Sequence, residues 1–159
     1  MQSDFERFLR DAEDHYLQKS DIAEFKQQVS DLDQRLQTYE YLRDQELKIW
    51  QPIADQLQAS CPEESPQQLE QALQHWIAAL RSGAMAMLLN DPEFLQHRLL
   101  EWLTDIAQAH QINALVDQLG QLLEIRLKKM LSEPQWLLIQ PYLNQAQQSL
   151  LGTESLSLG

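Results

Sequence analysis

An all-α fold is what this sequence predicts, and three observations predict it. Apolar residues recur at intervals of three and four through nearly every segment, the period of an amphipathic helix. Only four Gly and six Pro occur among 159 residues, too few for the many tight connections of a sandwich or barrel. Ser65-Pro66, Asp91-Pro92 and Ser132-Glu133-Pro134 each set a capping side chain just ahead of a proline, the pattern of a helix start. A chain of this length can close one well-filled core, and no linker or internal repeat divides it.

The elements follow in order. Phe5, Phe8, Leu9, Ala12 and Tyr16 mark one face of a first helix, with Asp4 as its cap. A short second helix is expected from Ser20-Asp21, carrying Ile22, Phe25, Val29 and Leu32. A long stretch then shows Leu36, Tyr39, Leu42, Ile49, Ile53 and Leu57, and Pro52 within it is expected to kink or divide it. Residues 58–66 form the clearest break. Ser65-Pro66-Gln67-Gln68 opens a helix with Leu69, Ala72, Leu73, Trp76, Ile77, Leu80, Ala84 and Met87, apolar over a face wide enough to be central. Asp91 caps the next, with Leu95, Leu99, Trp102, Leu103 and Ile106. Another runs from about Ile112 to Met130, and the last carries Trp136, Ile139, Leu143, Ala146 and Leu150. The sequence reading is one domain over residues 1–152, with an extension at 1–32, a core at 33–152 and a flexible tail at 153–159.

Twelve basic side chains against 24 acidic ones give a formal net charge of −12. Such a surface is repelled by nucleic-acid phosphates and anionic lipids, so no nucleic-acid partner is expected. The single cysteine, Cys61, cannot form an intramolecular disulfide, and no apolar run reaches the length of a transmembrane helix. A cytoplasmic protein is expected. The sequence contains no phosphate loop, Cys/His metal spacing or nucleophile–His–acid arrangement, so neither a catalytic nor a metal site is expected, and the chain reads as a non-enzyme.

The middle third is more specific. Leu80-Arg81-Ser82-Gly83-Ala84-Met85-Ala86 and the following Asn90-Asp91-Pro92 resemble the phycobiliprotein pattern Leu-Arg-Tyr-x-x-Tyr-Ala, then Gly-Asp-Pro. Phe94-Leu95-Gln96-His97-Arg98-Leu99-Leu100-Glu101-Trp102-Leu103 resembles the family's Leu-(Asp/Asn)-x-Arg-x-Leu-x-Gly-Leu segment. The element order resembles that family over nearly the whole chain. The resemblance to the phycobilisome (phycobiliprotein) family implies a globin-like helical bundle with a two-helix N-terminal extension, from a cyanobacterium.

The departures from the pattern bear on chemistry. In the family the bilin-linking Cys lies nine residues before the Arg matched by Arg81, and here that position is Ala72. The family's propionate-pairing Arg and pyrrole-binding Asp fall on Gln74 and His75. Alanine has no nucleophile, so a thioether cannot form there. Gln74 cannot give a carboxylate the charge-assisted pairing of an Arg, and His75 is not a fixed anion.

Each candidate has a structural alternative. His75 is a polar handle on a tetrapyrrole or a helix-face histidine. Arg81 meets a ligand carboxylate or an ion-pair partner, and Arg98 ties the inter-helix corner to a neighbour. Trp102 fills the space a bilin would occupy or stacks on a ligand. Trp50, Trp76 and Trp136 read as core or interface anchors. A haem would need a proximal His, with His97 or His110 in the right region and His75 as a distal group, but the flanking residues resemble phycobiliproteins.

What the resemblance implies is an accessory protein without covalent bilin, acting in bilin (tetrapyrrole) biosynthesis, delivery or phycobilisome assembly. A bilin or other tetrapyrrole held non-covalently would use Ala72, Gln74, His75, Arg81, Arg98 and Trp102. Its partners would be phycobiliproteins or bilin-biosynthesis enzymes, and the N-terminal helices either pair two copies as a homodimer or close the bundle. The alternative is a protein-interaction or signalling module with no ligand.

Overall fold

Residues 19–44 contain neither glycine nor proline, and in the computed structural model they form one uninterrupted helix. The structure describes the backbone of residues 4–106 and 113–157, and the side chains of residues 5–99, 101 and 114–150. Among the described residues there are seven helices and no strand: α1 (Asp4–Asp14), α2 (Lys19–Asp44), α3 (Glu46–Ser60), α4 (Pro66–Leu89), α5 (Pro92–Ile106), α6 (Asn113–Met130) and α7 (Glu133–Ser157).

Helix starts follow the side-chain chemistry of the sequence. Ser65 Oγ accepts from the Gln68 N–H at 3.2 Å, with Pro66 in the first turn. Asp91 Oδ1 accepts from the N–H groups of Glu93 and Phe94, at 3.0 and 3.3 Å, and so caps α5. Ser132 and Gln135 exchange side-chain and backbone bonds of 3.0 and 3.3 Å, a reciprocal cap for α7. Between α4 and α5, Asn90 takes the left-handed conformation at φ 52°, which an asparagine tolerates better than most residues.

Three expectations are corrected. The second helix does not stop near Leu32: Asp33, Gln34 and Arg35 are all competent helix residues, so α2 runs on to Asp44. The boundary drawn at residue 32 therefore falls inside a continuous helix. The chain divides at Gln45, not at Pro52, and Pro52 lies within α3. A proline at 52 leaves the Lys48 carbonyl without its usual i+4 donor. Arg126 Nη2 donates to that carbonyl at 2.9 Å, so the lost bond is replaced from α6. At the other end, α7 continues to Ser157, past the point near Gly152 where the sequence suggested its end.

Helix α4 is central. It packs against α2, α3, α5, α6 and α7, and its Leu69, Ala72, Trp76, Ala79, Leu80 and Met87 are buried. The rest of the core comes from Ile49, Ile53 and Leu57 of α3, Leu95 and Leu99 of α5, Leu119, Leu123 and Leu127 of α6, and Ile139 and Leu150 of α7. Burial of these aliphatic groups, each contributing roughly 1.5–3 kcal/mol, is the main force holding the bundle. Tyr41 adds a directional tie, its hydroxyl donating to the Met130 carbonyl at 3.2 Å.

The N-terminal part differs. Phe8 is buried, and Phe5 and Phe8 both meet the Phe25 ring edge-on, at 5.4 and 5.3 Å between centroids. Arg7 and Glu24 add an exposed ion pair at 2.7 Å. The face expected for α1 is otherwise unpacked: Leu9 is 68% exposed, and Tyr16 lies beyond the helix and is 98% exposed. Helix α2 joins the core from Thr38 onward, through Thr38 and Leu42.

Candidate functional site

The stretch of α4 from Ala72 to Arg81 carries the residues that the sequence singles out, and helix geometry separates them. At about 100° per residue, the nine positions between Ala72 and Arg81 amount to two and a half turns, so these two side chains leave opposite sides of α4. The structure follows that geometry. Ala72 is fully buried, and Arg81 is exposed.

One turn beyond Ala72 on the same face stands Trp76, 1% exposed. Its indole N–H donates to the Val116 carbonyl at 2.8 Å, which pins the ring against α6. The approach is close because residue 120 is glycine: a Cβ there would stand 3.0 Å from Trp76 Cζ2. The face that would carry a pigment is thus packed tightly on its neighbour. The filler is Trp76; the side chain of Trp102, to which the sequence gave that role, lies outside the described residues.

Gln74 points to solvent and donates to Glu70 Oε1 at 3.4 Å, while His75 is half-buried. Arg81 resolves toward an ion pair. Its Nε and Nη2 reach the two carboxylate oxygens of Glu46 at 2.7 and 3.0 Å, a bidentate clasp between α4 and α3. The hydrogen bond from Arg81 holds the Glu46 carboxyl below its ordinary value, against the opposing effect of burial. The same bond raises the Arg81 guanidinium.

Arg98, exposed on α5, lies 5.5 Å over the Phe94 ring and 3.5 Å from Glu101, both on its own helix. The tie from this corner to a neighbour is made instead by Gln145 of α7, whose amide donates to the Pro92 carbonyl at 2.9 Å. No sequence signal marked Gln145, one of many glutamines on helical faces.

Two clefts open on the described surface. The first, of about 360 Å³, lies where α2, α3 and α4 meet, between Tyr39, Leu42, Arg43, Leu80, Ala84 and the Arg81–Glu46 pair. The second, of about 530 Å³, runs along the end of α3 and the start of α4 past Leu57, Pro62, Leu69, Glu70 and Leu73. Cys61 lines it, with its thiol donating to Gln118 Oε1 at 3.3 Å. Arg81 lines the first cleft, and Ala72, Gln74, His75 and Arg98 line neither. Of the histidines considered for haem, His97 is exposed, His75 lines neither cleft, and His110 lies outside the described residues.

The residues present do not fit a bilin bonded at position 72. The side chain is a methyl group, it has no exposed surface, and the adjoining space holds an anchored indole. No described helix is long and apolar enough to cross a membrane, and no group of three or more His, Cys, Asp or Glu among the described residues is arranged to hold a metal.

No curated protein and no solved structure matches the chain. Residues 9–150 match the profile described as Phycobilisome protein. With seven helices among its described residues in a globin-like arrangement and that match over most of its length, the chain belongs to the phycobilisome protein family.

Proposed function

We propose that this protein serves the phycobilisome system as a non-enzymatic accessory member, without a bilin bonded at the family's attachment position, through contacts with phycobiliproteins or with the enzymes that make bilins. The observation that carries this reading is Ala72: it has no nucleophile and is buried beside Trp76. A helix face sealed in this way contributes to the stability of the bundle and leaves function to the surfaces that remain open.

A tetrapyrrole held without a covalent bond is the ligand-bearing form of the same proposal. The two open clefts, of about 360 and 530 Å³, fall within the usual range of small-molecule sites. The ligand-free form, a globin-like interaction module, draws on the bare apolar side chains of α2.

One preparation tests all of this. The chain is produced in cells that supply phycocyanobilin, denatured in acid urea, and its absorption and mass are recorded. A polypeptide of unmodified mass with no visible band is expected, and pigment that stays with the denatured chain would overturn the proposal. Titration of the native protein with biliverdin, phycocyanobilin and haem then separates its two forms. A shifted, saturable band favours the ligand-bearing form, and spectra unchanged by all three favour the interaction module.

A further inference from the structure

Arg35 differs from the other arginines in what holds it. Arg7, Arg43, Arg81 and Arg98 each reach a carboxylate, and Arg126 reaches the Lys48 carbonyl. Arg35 makes no hydrogen bond or ion pair to any described residue, although the chain carries 24 acidic side chains. It lies on the inner face of α2, three and seven residues before the buried Thr38 and Leu42, where α2 packs on α4 and α7. The side chain is half-buried, and its Nε is shut off from water with no acceptor in reach. A cation drawn partly out of water and left unpaired is costly. Helix α7 offers it no counter-charge, because no charged residue occurs from Pro134 to Leu150.

What α7 does bring is Tyr142. The residue is 8% exposed, and its hydroxyl has no hydrogen-bond partner among the described residues. Burial pushes the phenol up, the Arg35 charge pulls it down, and Asp91 pushes it up by less. At this hydroxyl the guanidinium therefore outweighs the carboxylate. Asp91 is already engaged in capping α5 through Oδ1, and it forms no ion pair with Arg35. Helix α2, helix α7 and the corner between α4 and α5 thus converge on two polar groups that lack an acceptor.

We infer that Arg35 and Tyr142 form a binding site for a small monoanionic carboxylate. The guanidinium edge matches the two oxygens of a carboxylate, and the phenol O–H donates to one of them. The charge of the ligand is set by the surroundings. One guanidinium neutralises one negative charge, and the Asp91 carboxylate close by opposes a second, so a dianion such as hydrogen phosphate is disfavoured. The site is separate from both clefts and from Ala72, and it does not depend on the function proposed above.

The test is a titration of the full chain with sodium acetate at constant ionic strength, followed by nitrogen–proton and aromatic NMR. The Arg35 Nε–H is shielded from solvent, which slows its exchange and makes its signal observable. Arg35→Gln and Tyr142→Phe assign the two sets of signals. Saturable shifts of both are expected, with half-saturation at roughly 1–10 mM. Sodium chloride should leave them in place, and inorganic phosphate at mildly alkaline pH should bind at least about tenfold more weakly than acetate. Tyr142→Phe should weaken acetate binding by about tenfold, and Arg35→Gln should abolish the response.

Thermal unfolding in chloride separates this role from a structural one. Arg35→Gln removes an unpaired, half-buried charge, so its melting temperature should equal or exceed that of the wild type. A marked fall would mean that Arg35 is paired within the chain, and would overturn the inference. So would shifts that chloride reproduces, shifts that survive Arg35→Gln, or phosphate binding as tight as that of acetate.

Discussion

The Ala72–Trp76 face of α4 and the Ile22–Leu36 stripe of α2 are built from the same kind of side chain at the same helical spacing. Their environments differ completely. The first is sealed, with Trp76 anchored to the Val116 carbonyl and set close against Gly120. The second leaves every one of its five apolar side chains at least a third exposed. Periodicity therefore identifies which face of a helix is apolar, and says nothing about whether the same chain covers it. What covers it depends on where the helix sits. Helix α4 is surrounded by five others, whereas α2 meets the bundle only through its C-terminal part.

The largest expected effect breaks the contrast directly. Trp76→Ala should cost about 3–5 kcal/mol, from the emptied volume, and more from the Val116 carbonyl left without its donor. Val29→Ala should change stability by no more than about 0.5 kcal/mol, because little is buried there. Urea unfolding monitored by tryptophan fluorescence and circular dichroism compares the two. Equal losses would mean that the stripe is covered within one chain and that the contrast is mistaken.

A smaller effect sharpens it. Gly120→Ala adds a Cβ 3.0 Å from Trp76 Cζ2 and 3.2 Å from Gln147 Cδ. The glutamine can shift, but the indole is held by its hydrogen bond to α6. Overpacking costs roughly 1–3 kcal/mol, and the better helix propensity of alanine returns about 1 kcal/mol. A net loss near 1 kcal/mol is expected in the same urea experiment. A stabilised variant would show that the α4–α6 contact is looser than the geometry implies.

Much of the fold was legible in the sequence because caps are local chemistry. Ser65, Asp91 and Ser132 announce their helices, and each makes the expected bond. Pro52 misled for the opposite reason: its effect depends on whether a distant group repairs the missing bond, and Arg126 is 74 positions away. Gln45, where the helix does divide, carries no breaker signal. At the candidate site, that Ala72 carries no nucleophile was readable from the sequence alone. The separation of Ala72 from Arg81 was also within reach, since nine residues make two and a half turns. The Glu46 partner of Arg81 was not, because only tertiary packing brings α3 beside that point of α4.

That pair supplies the smallest of the expected effects and the one with a clear sign. Glu46 is an acid whose folded value is held below its ordinary one, chiefly by the hydrogen bond from Arg81. Folding is thereby favoured at any pH above the unfolded value, and the contribution is lost as pH falls through the depressed folded value. Arg81 stays charged throughout, so the change belongs to the carboxyl alone. Both side chains remain well exposed, 66% for Arg81 and 37% for Glu46, and solvent screening limits the pair to a few tenths of a kcal/mol, about 1 at most. Glu46→Gln can still accept one bond but cannot titrate. The stability gap between wild type and variant should be present at neutral pH, shrink in high salt, and close in acid as the carboxyl protonates. A gap that persists unchanged in acid would locate the effect in packing against the cleft and not in charge.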